Sequence, residues 1–270
     1  MQLYINGGDK VSHAINLIKE HEPESGYYVA FSGGKDSCVI LDLVKRAGVK
    51  YEAHYSKTTV DPPEVMQFIK DHHPDVIWDK PKRSMFKLIE KEGCLPTRII
   101  RYCCRELKEL GGVGNSVITG VRWAESINRR NRKFVEQSRR VKGKILISPI
   151  LDWDTADVWD YIFSRNLPYC CLYDEGKERL GCIMCPMQGA KGMREDAKRY
   201  PKYYRAYMRA IQRMIDTHPG KFQGATAETI MNWWINGGGS LTNDNPAPAH
   251  PPGMAGRYNR KPCHCPLNLL

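Results

Sequence analysis

Residues 27–47 read YYVAFSGGKDSCVILDLVKRA, an apolar run followed by a glycine-rich turn and a second apolar run. The pattern predicts a buried strand from Tyr27 to Phe31, a tight loop, and a helix from Cys38 to Ala47. Glycines let a backbone approach a phosphate, and the N–H groups that open a helix carry partial positive charge. The loop Ser32-Gly33-Gly34-Lys35-Asp36-Ser37 is therefore predicted to bind an anion, with Lys35 and the two serine hydroxyls holding its oxygens.

Size and composition describe a globular chain that can bury one sizeable core, or one core and an appendage. The 270 residues have a mean hydropathy of −0.52 and ten cysteines. Met1 to Lys10 lacks a signal pattern, and no apolar stretch approaches membrane-spanning length, so we expect a cytoplasmic protein without a membrane partner. In that compartment ten cysteines indicate metal or redox chemistry rather than a disulfide framework.

The net charge of +11 favours an anionic partner. The cations are concentrated in two places, one of which is Lys191 to Lys202. The other holds Arg122, Arg129, Arg130, Arg132, Lys133, Arg139, Arg140, Lys142 and Lys144. A nucleic acid and a solvated basic loop over a phosphate site both account for this pattern.

The order of predicted strands and helices indicates an α/β fold with a doubly wound, mostly parallel five-stranded sheet. After the first strand, the predicted strands are Tyr51–Tyr55, Val76–Trp78, Ser116–Thr119 and Lys144–Ser148. Asp9 is predicted to cap a leading amphipathic helix that runs to Glu20, and Asp61 is predicted to open a later helix by a capping box. We predict a nucleotide-binding domain over residues 1–165, a loop-rich and helical part over 166–235, and a flexible Gly/Pro-rich tail over 236–270. The second part is predicted to hold a basic helical stretch from about Arg194 to Thr217 and a short helix near Ala227 to Ile235.

Four cysteines form a possible metal site. Cys103 and Cys104 are adjacent, and Cys182 and Cys185 form a Cys-x-x-Cys much later in the chain. Thiolates restrict the metal to zinc or an iron–sulfur cluster. Adjacent thiolates reach one tetrahedral zinc only with strain, whereas they can bind separate irons of a cluster, so the pattern favours [4Fe–4S]. A set of thiols without metal is the third interpretation, and Cys38 is expected to be a packing residue.

Ser-Gly-Gly-Lys-Asp-Ser resembles the PP-loop of the ATP pyrophosphatase, or adenine nucleotide alpha-hydrolase, superfamily. That resemblance implies cleavage of ATP between its α and β phosphates, adenylation of a substrate, and Mg²⁺ on the phosphates. The cysteine pattern is similar to the cluster signature of adenylylsulfate reductases, within the phosphoadenylylsulfate (PAPS) reductase family, and the resemblance runs from about Tyr27 to Gln188. It implies catalytic roles for Lys35, Asp36 and Arg122. It also places nucleotide contacts on the loop, Gly120 and Arg122, and cluster ligands at the four cysteines.

The chain departs from the sulfonucleotide reductases in two ways. It keeps the full ATP loop, and it lacks the C-terminal Glu-Cys-Gly-Leu/Ile-His that supplies their attacking cysteine, although Cys263-His264-Cys265 lies near the corresponding end. The combination resembles family members that activate an acceptor with ATP and install sulfur, such as enzymes of DNA phosphorothioation and tRNA thiolases. It implies a nucleic acid acceptor (DNA or tRNA) and a sulfur donor such as a cysteine desulfurase.

Two other functions remain open at this stage. One is a sulfonucleotide reductase that uses thioredoxin and releases sulfite from an adenylylated sulfonucleotide, with tail cysteines replacing the missing motif. The other is a nucleotide or nucleic-acid binding module with a structural metal. Cys170-Cys171 precedes the Cys-x-x-Cys closely and is a candidate redox or persulfide pair.

Overall fold

A computed structural model describes residues 9–237 of the protein, and its central feature is one six-stranded sheet with the order β3-β2-β1-β4-β6-β5. All neighbouring strands are parallel except β5, which runs antiparallel to β6. The strands are β1 Tyr27–Phe31, β2 Tyr51–Ser56, β3 Ile77–Asp79, β4 Ser116–Ile118, β5 Val135–Gln137 and β6 Ile145–Ile147. The predicted mostly parallel, doubly wound α/β fold is confirmed.

The sheet has one strand more than the five that the sequence predicts. The additional strand, β5, is only three residues long and lies at the sheet edge. Its sequence Val-Glu-Gln has no apolar alternation, and basic residues flank it on both sides. β5 forms because Val135, Glu136 and Gln137 pair with β6, a tertiary contact that periodicity does not detect.

Nine α-helices occur in the described part of the chain. They are α1 Lys10–Glu20, α2 Lys35–Ala47, α3 Pro63–His72, α4 Met85–Glu92, α5 Tyr102–Cys104, α6 Thr155–Ser164, α7 Gly189–Arg199, α8 Pro201–Thr217 and α9 Ala227–Ile235. Asp9 caps α1 by accepting from the N–H groups of Val11 and Ser12, and Asp154 caps α6. None of the helices within residues 9–237 is long and apolar enough to cross a membrane.

Two local predictions are corrected. The N-cap of α3 is Pro62, because the Asp61 carboxylate turns back and accepts hydrogen bonds from Thr58 and Thr59 instead of capping the helix. The basic helical stretch predicted from Arg194 to Thr217 is two helices, α7 and α8. The two helices are separated at Tyr200 because of Pro201. A proline disrupts a helix when it lies in the interior, but it is favoured at the first position, where it begins α8.

The described residues divide into two compact units. Unit 1 comprises residues 9–85, 102–172 and 178–182, and unit 2 comprises residues 86–101, 173–177 and 183–237. The sheet belongs to unit 1, where Val29, Ile118 and Ile147 are buried. The core of unit 2 is formed by helices α8 and α9, with Tyr207, Ile211, Met214, Met231 and Trp234 buried. The segments of the two units alternate along the chain, whereas the sequence placed boundaries at residues 165 and 235. Most of the predicted tail, including Cys263 and Cys265, lies outside the described residues.

Candidate functional site

The loop between β1 and α2 turns sharply at Gly33, whose φ is +71°. A Cβ at this position would lie 3.0 Å from a methyl group of Val65 and 3.1 Å from the side chain of Ile69, both on α3. Glycine is therefore required here for its conformation and for the close approach of the loop to α3. The turn directs the chain from the carboxyl end of β1 straight into α2.

Helix α2 begins without a side-chain cap. Its N-cap is Gly34, and no side chain within residues 9–237 accepts from the N–H groups of the first turn as a cap would. The Ser37 hydroxyl instead donates to the Gly34 carbonyl at 2.7 Å and accepts from the Ser32 N–H at 3.2 Å, so it braces the loop internally. The opening turn of α2 therefore has the N–H donors and the positive dipole end that bind phosphate in proteins.

Lys35 is the first residue of α2 and is buried, with 6% of its surface exposed. Its ammonium donates to the carbonyl of Glu178 at 3.3 Å and to Oδ2 of Asp36 at 3.4 Å. A buried ammonium is costly unless charged or polar oxygens surround it. These contacts hold Lys35 at the loop that the sequence predicts to bind an anion.

Asp36 and Arg122 connect the two loops that flank the centre of the sheet. The Nε of Arg122 donates to Oδ1 of Asp36 at 2.6 Å, and one of its terminal nitrogens donates to the Trp153 carbonyl at 3.3 Å. Arg122 follows β4 and is 3% exposed. Strands β1 and β4 are neighbours from which the strand order proceeds in opposite directions, and ligands of doubly wound sheets bind at such a switch point.

Gly120 permits this approach. A Cβ on it would lie 3.1 Å from the Asp36 Cβ and 3.2 Å from the Asp36 carbonyl, which is tighter than most side chains tolerate. The Glu125 carboxylate accepts from the Arg122 backbone N–H, while the buried guanidinium contacts Asp36. Ser32, Gly33, Gly34, Lys35, Asp36, Ser37, Gly120 and Arg122 thus lie in one part of unit 1.

A second polar group in unit 1 surrounds Lys108. The sulfur of Cys182 lies within hydrogen-bonding reach of the Lys108 ammonium, and its negative charge raises the pKa of Lys108, an effect to which Asp61 and Cys104 add. Cys182 also lies 3.6 Å from the Thr58 hydroxyl, which donates to Asp61 at 2.7 Å. An ammonium, a thiol, a hydroxyl and a carboxylate are therefore brought together in this part of unit 1.

Lys108 is presented by an unusual helical segment. The chain continues from α5 into a π-helix over Arg105–Glu109, a geometry that often occurs at functional sites. The buried ammonium of Lys144 lies at the end of this segment. It donates to the carbonyls of Glu109 at 3.2 Å and Gly111 at 2.5 Å. Burial lowers the pKa of Lys144, and both carbonyls compensate with hydrogen bonds.

The four predicted cluster ligands are divided between the units. Cys103, Cys104 and Cys182 belong to unit 1, and Cys185 belongs to unit 2. No disulfide joins any of the eight cysteines in residues 9–237. Within the same residues, no group of three or more histidine, cysteine or acidic side chains is arranged to hold a metal ion. The thiol chemistry suits a cluster, but its assembly stays a prediction. Cys38 is buried, and burial raises the pKa of its thiol, as expected of a packing residue.

Thr58, Asp61 and Lys108 were not identified from the sequence as a group. One signal was available for Lys108, because it follows Cys104 by four residues and helical spacing places such residues on the same face. Asp61 was assigned to helix capping. Cys182 is remote from both in the chain, and no local pattern joins it to them.

Comparison with known proteins gives one family match over more than half of the chain. Residues 26–188 match the family described as phosphoadenosine phosphosulfate reductase domain. A Methanocaldococcus jannaschii protein with no characterised function is 31% identical over 195 residues, which cover 68% of this chain and 47% of that protein. The chain spans about half the length of the first archaeal relatives it matches, 46% and 47%.

Named relatives are more distant. The adenosine 5'-phosphosulfate reductase of Bacillus anthracis is 26% identical over 185 residues, which cover 64% of this chain and 80% of that enzyme. The solved structure of phosphoadenylyl-sulfate reductase from Candida auris is 22% identical with a TM-score of 0.49, covering 67% of this chain and 97% of that one.

Proposed function

This chain belongs to the phosphoadenosine phosphosulfate reductase family, and we propose that it is an ATP-dependent adenylating enzyme that transfers sulfur to an acceptor. One observation carries the proposal. The complete loop Ser32–Ser37 is braced by its own hydroxyl groups, and Lys35, Asp36 and Arg122 meet at the switch point of the sheet. This arrangement suits a nucleotide that retains its polyphosphate.

The first step would be adenylation. An acceptor oxygen attacks the α-phosphorus of ATP, the bond to the bridging oxygen breaks, and pyrophosphate leaves with the electron pair. The N–H groups of the first turn of α2 and the Lys35 ammonium would hold the pyrophosphate as its charge develops. Arg122 would contact a phosphate only through the part of its guanidinium that Asp36 does not occupy, so Asp36 orients it.

Mg²⁺ would neutralise charge on the phosphates when bound. The Asp36 carboxylate is a hard oxygen ligand at the loop, and Arg122 and Lys35 already contact it. Mg²⁺ in such sites is held largely by substrate phosphates and water. The residues therefore fit an ion that arrives with ATP, with at most one carboxylate from the protein.

The second step would be sulfur transfer. A donor sulfur attacks the activated atom of the acceptor, the bond from that atom to the adenylate oxygen breaks, and AMP leaves with the electron pair. Without a metal, Cys182 and Cys104, with Lys108 beside them, would be the candidate carriers of that sulfur. With a cluster bound, both sulfurs would be ligands of iron, and the transferred sulfur would be held at the cluster or on another cysteine. When the sulfur arrives as a cysteine persulfide, a second thiol cleaves its S–S bond. The resulting disulfide must then be reduced by an external thiol, and a cysteine desulfurase is the class of donor we propose.

A [4Fe–4S] cluster on Cys103, Cys104, Cys182 and Cys185 is part of the proposal as the sequence predicts it. When bound, it would hold a sulfur species or position the substrate. Lys108 would remain next to Cys104 and Cys182 in either case, and its positive charge would offset the negative charge that thiolates bring. Zinc is the alternative metal, and iron and zinc analysis after anaerobic purification separates the two.

The acceptor that we propose is a nucleic acid, DNA or tRNA. The support is the net charge of +11 together with the two concentrations of cations in the sequence. Polyanions bind such surfaces by releasing condensed counterions. A small-molecule acceptor would need fewer unpaired cations on the protein surface.

A second candidate function is reduction of adenylylsulfate to sulfite, and the identity to the Bacillus anthracis enzyme favours it. Thioredoxin would then be the partner. A binding module that leaves ATP intact is the third candidate.

Substrate choice tests the proposal. Purified protein would be incubated with ATP and Mg²⁺, or with adenylylsulfate and thioredoxin, and pyrophosphate and sulfite would be measured. We expect pyrophosphate from ATP, increased by DNA or tRNA, and no sulfite. Sulfite release that requires thioredoxin and is lost on Cys263→Ser with Cys265→Ser would establish the reductase instead. ATP that binds without cleavage would establish the binding module.

A further inference from the structure

Helix α8 has one apolar face that is fully used in the core of unit 2. Tyr207, Ala210, Ile211 and Met214 are buried, and the Tyr207 ring lies 5.1 Å from that of Trp234 on α9. These positions repeat at helical spacing, so they define one side of the helix. The opposite side of α8 is consequently the one exposed to solvent.

That exposed side is a row of cations. Lys202, Arg205 and Arg209 are all exposed and follow one another at intervals of three and four residues, which places them on one face. No carboxylate in residues 9–237 pairs with any of the three, whereas Arg213 continues the row and is paired with Glu90. At 1.5 Å per residue the row from Lys202 to Arg209 is about 10 Å long. One strand of B-form DNA presents about three phosphates over that length.

The acidic residues of α7 and α8 do not neutralise this row. Asp196 is buried and bonded to the Met184 N–H, and Glu195 lies 3.9 Å from Lys177. Asp216, near the end of α8, accepts from Gln212. The three cations therefore present their charge to solvent on a helix whose other face is fixed by the core.

The basic segment over residues 122–144 is different, although the sequence drew attention to it first. Five of its nine cations are already engaged. Arg129, Arg132 and Arg140 pair with glutamates, and Arg122 and Lys144 are buried. Of the remaining exposed cations, Arg130 and Lys133 precede β5 and Arg139 and Lys142 follow it, so an antiparallel edge strand separates them.

We propose that the exposed face of α8 formed by Lys202, Arg205 and Arg209 binds the phosphate backbone of a nucleic acid. The proposed contact is with phosphates. Contacts with phosphate do not read base edges, so this face carries no sequence preference of its own. The inference rests on the proposed function for its choice of a nucleic acid acceptor, and it adds the surface that holds this acceptor.

The test compares three triple variants with the unaltered chain. The α8 variant carries Lys202→Gln, Arg205→Gln and Arg209→Gln. The control variant carries Lys45→Gln, Lys50→Gln and Lys70→Gln, exposed positions in unit 1 with the same change in net charge. The third variant, called the 122–144 loop variant, carries Arg130→Gln, Lys133→Gln and Arg139→Gln. Dissociation constants for fluorescein-labelled duplex DNA, single-stranded DNA and a transcribed tRNA are measured between 50 and 300 mM salt, with circular dichroism to verify folding.

We expect the α8 variant to bind nucleic acid roughly tenfold or more weakly than the unaltered chain. The magnitude of the slope of log K against log salt concentration should decrease by about 2 to 3. The control variant should remain within about twofold of the unaltered chain, because its cations lie elsewhere. The nucleic acid for which the α8 variant loses the most affinity identifies DNA or RNA as the partner. Three results would each overturn the inference. They are equal losses of affinity in the α8 and control variants, a loss of affinity confined to the 122–144 loop variant, and no binding by the unaltered chain.

The failure of this inference is distinguishable from failure of the proposed function. Binding is measured without ATP. Basal pyrophosphate release, in which water takes the place of the acceptor, is measured without nucleic acid. If the α8 variant retains its affinity while the protein still releases pyrophosphate, only the proposed docking surface is ruled out. If the protein binds nucleic acid through α8 and leaves ATP intact, only the proposed adenylation step is ruled out.

Discussion

The Nε of Arg122 donates to Oδ1 of Asp36 at 2.6 Å, and this partly buried ion pair joins the loop after β4 to the first turn of α2. The two residues are 86 positions apart in the chain. Their contact brings the two central loops of the sheet together at the place where a nucleotide is expected. The geometry of the site therefore depends on a planar guanidinium that also reaches the Trp153 carbonyl.

Arg122→Lys should destabilise unit 1 although the charge is kept. A lysine cannot contact Asp36 and the Trp153 carbonyl together, so we expect a loss of roughly 1–3 kcal/mol in the free energy of unfolding. Urea denaturation measures it. Arg129→Lys is the control, since Arg129 pairs with Glu125 at a partly exposed site and should lose less than about 1 kcal/mol. Equal losses in the two variants would contradict the role given to the Asp36 contact.

Gly33→Ala should be more destabilising than Gly48→Ala. Both glycines have a φ of +71°, and the left-handed conformation alone costs an alanine roughly 1–2 kcal/mol. A Cβ on Gly48 meets nothing within 4 Å, whereas one on Gly33 meets Val65 and Ile69. We expect an additional cost of roughly 1–3 kcal/mol at Gly33 from overpacking. Matching unfolding midpoints and slopes for the two variants would show that α3 does not confine the loop.

Asp196→Ala should destabilise unit 2 by roughly 3 kcal/mol, because it removes a buried carboxylate on which several donors converge. Asp196 accepts from the Met184 N–H at 2.8 Å and from the Gln188 side chain at 2.5 Å, and Lys177 lies 3.4 Å away. Met184 has a φ of +56°, an uncommon conformation that the hydrogen bond to Asp196 holds. Chemical denaturation followed by tryptophan fluorescence reports the loss.

The control for Asp196 is Asp216→Ala on the exposed face of α8. We expect it to change the free energy of unfolding by no more than about 0.5 kcal/mol. An Asp196→Ala variant as stable as the Asp216→Ala variant would rule out the buried carboxylate as the organiser of the Met184 turn.

His73 should make the protein less stable in acid. Burial, with smaller effects of Lys45 and His72, lowers the pKa of His73 to about 4 from an ordinary value of 6.5. Its Nε2 has no hydrogen-bond partner in residues 9–237, and its ring packs on Phe31 and Phe68. Between pH 6.5 and 4 the unfolded chain binds the proton and the folded chain does not, so stability falls as pH falls through this window.

His73→Leu removes that proton-linked term, and the stability of the variant should change less between pH 6.5 and 4 than that of the unaltered chain. His72→Leu is the control, because His72 is exposed and the dependence should persist. Thermal denaturation across the window gives both curves. Parallel curves for His73→Leu and the unaltered chain would show that His73 is not buried in its neutral form.

The central motif could be predicted from the sequence because its causes are local. The apolar run of β1, the glycines of the loop and the period of α2 are adjacent in the chain, and Asp9 caps α1 where predicted. Helix α9 begins and ends at the predicted residues, Ala227 and Ile235. Periodicity and capping determine such elements with little help from tertiary contacts.

The rest depends on contacts that distant segments make. β5 forms only by pairing with β6, and Asp61 accepts from Thr58 and Thr59 instead of capping α3. Lys108 acquires its environment from Cys182, a residue of a different segment. Sequence reasoning identified the charged residues of 122–144 as one basic group. It did not separate the cations that glutamates neutralise from those that remain exposed. Only the fold shows which cations lie close to Glu125, Glu136 and Glu109.

Magnesium-dependent release of pyrophosphate from ATP, compared between Lys35→Met and Lys45→Met, tests the central claim most directly. Both lysines lie on α2, one buried at its first turn and the other exposed at its last. We predict one pyrophosphate for each AMP formed, a rate at least roughly a hundredfold lower in Lys35→Met, and an unchanged rate in Lys45→Met. Equal rates in the two variants, or ATP that stays intact while adenylylsulfate yields sulfite, would contradict the account.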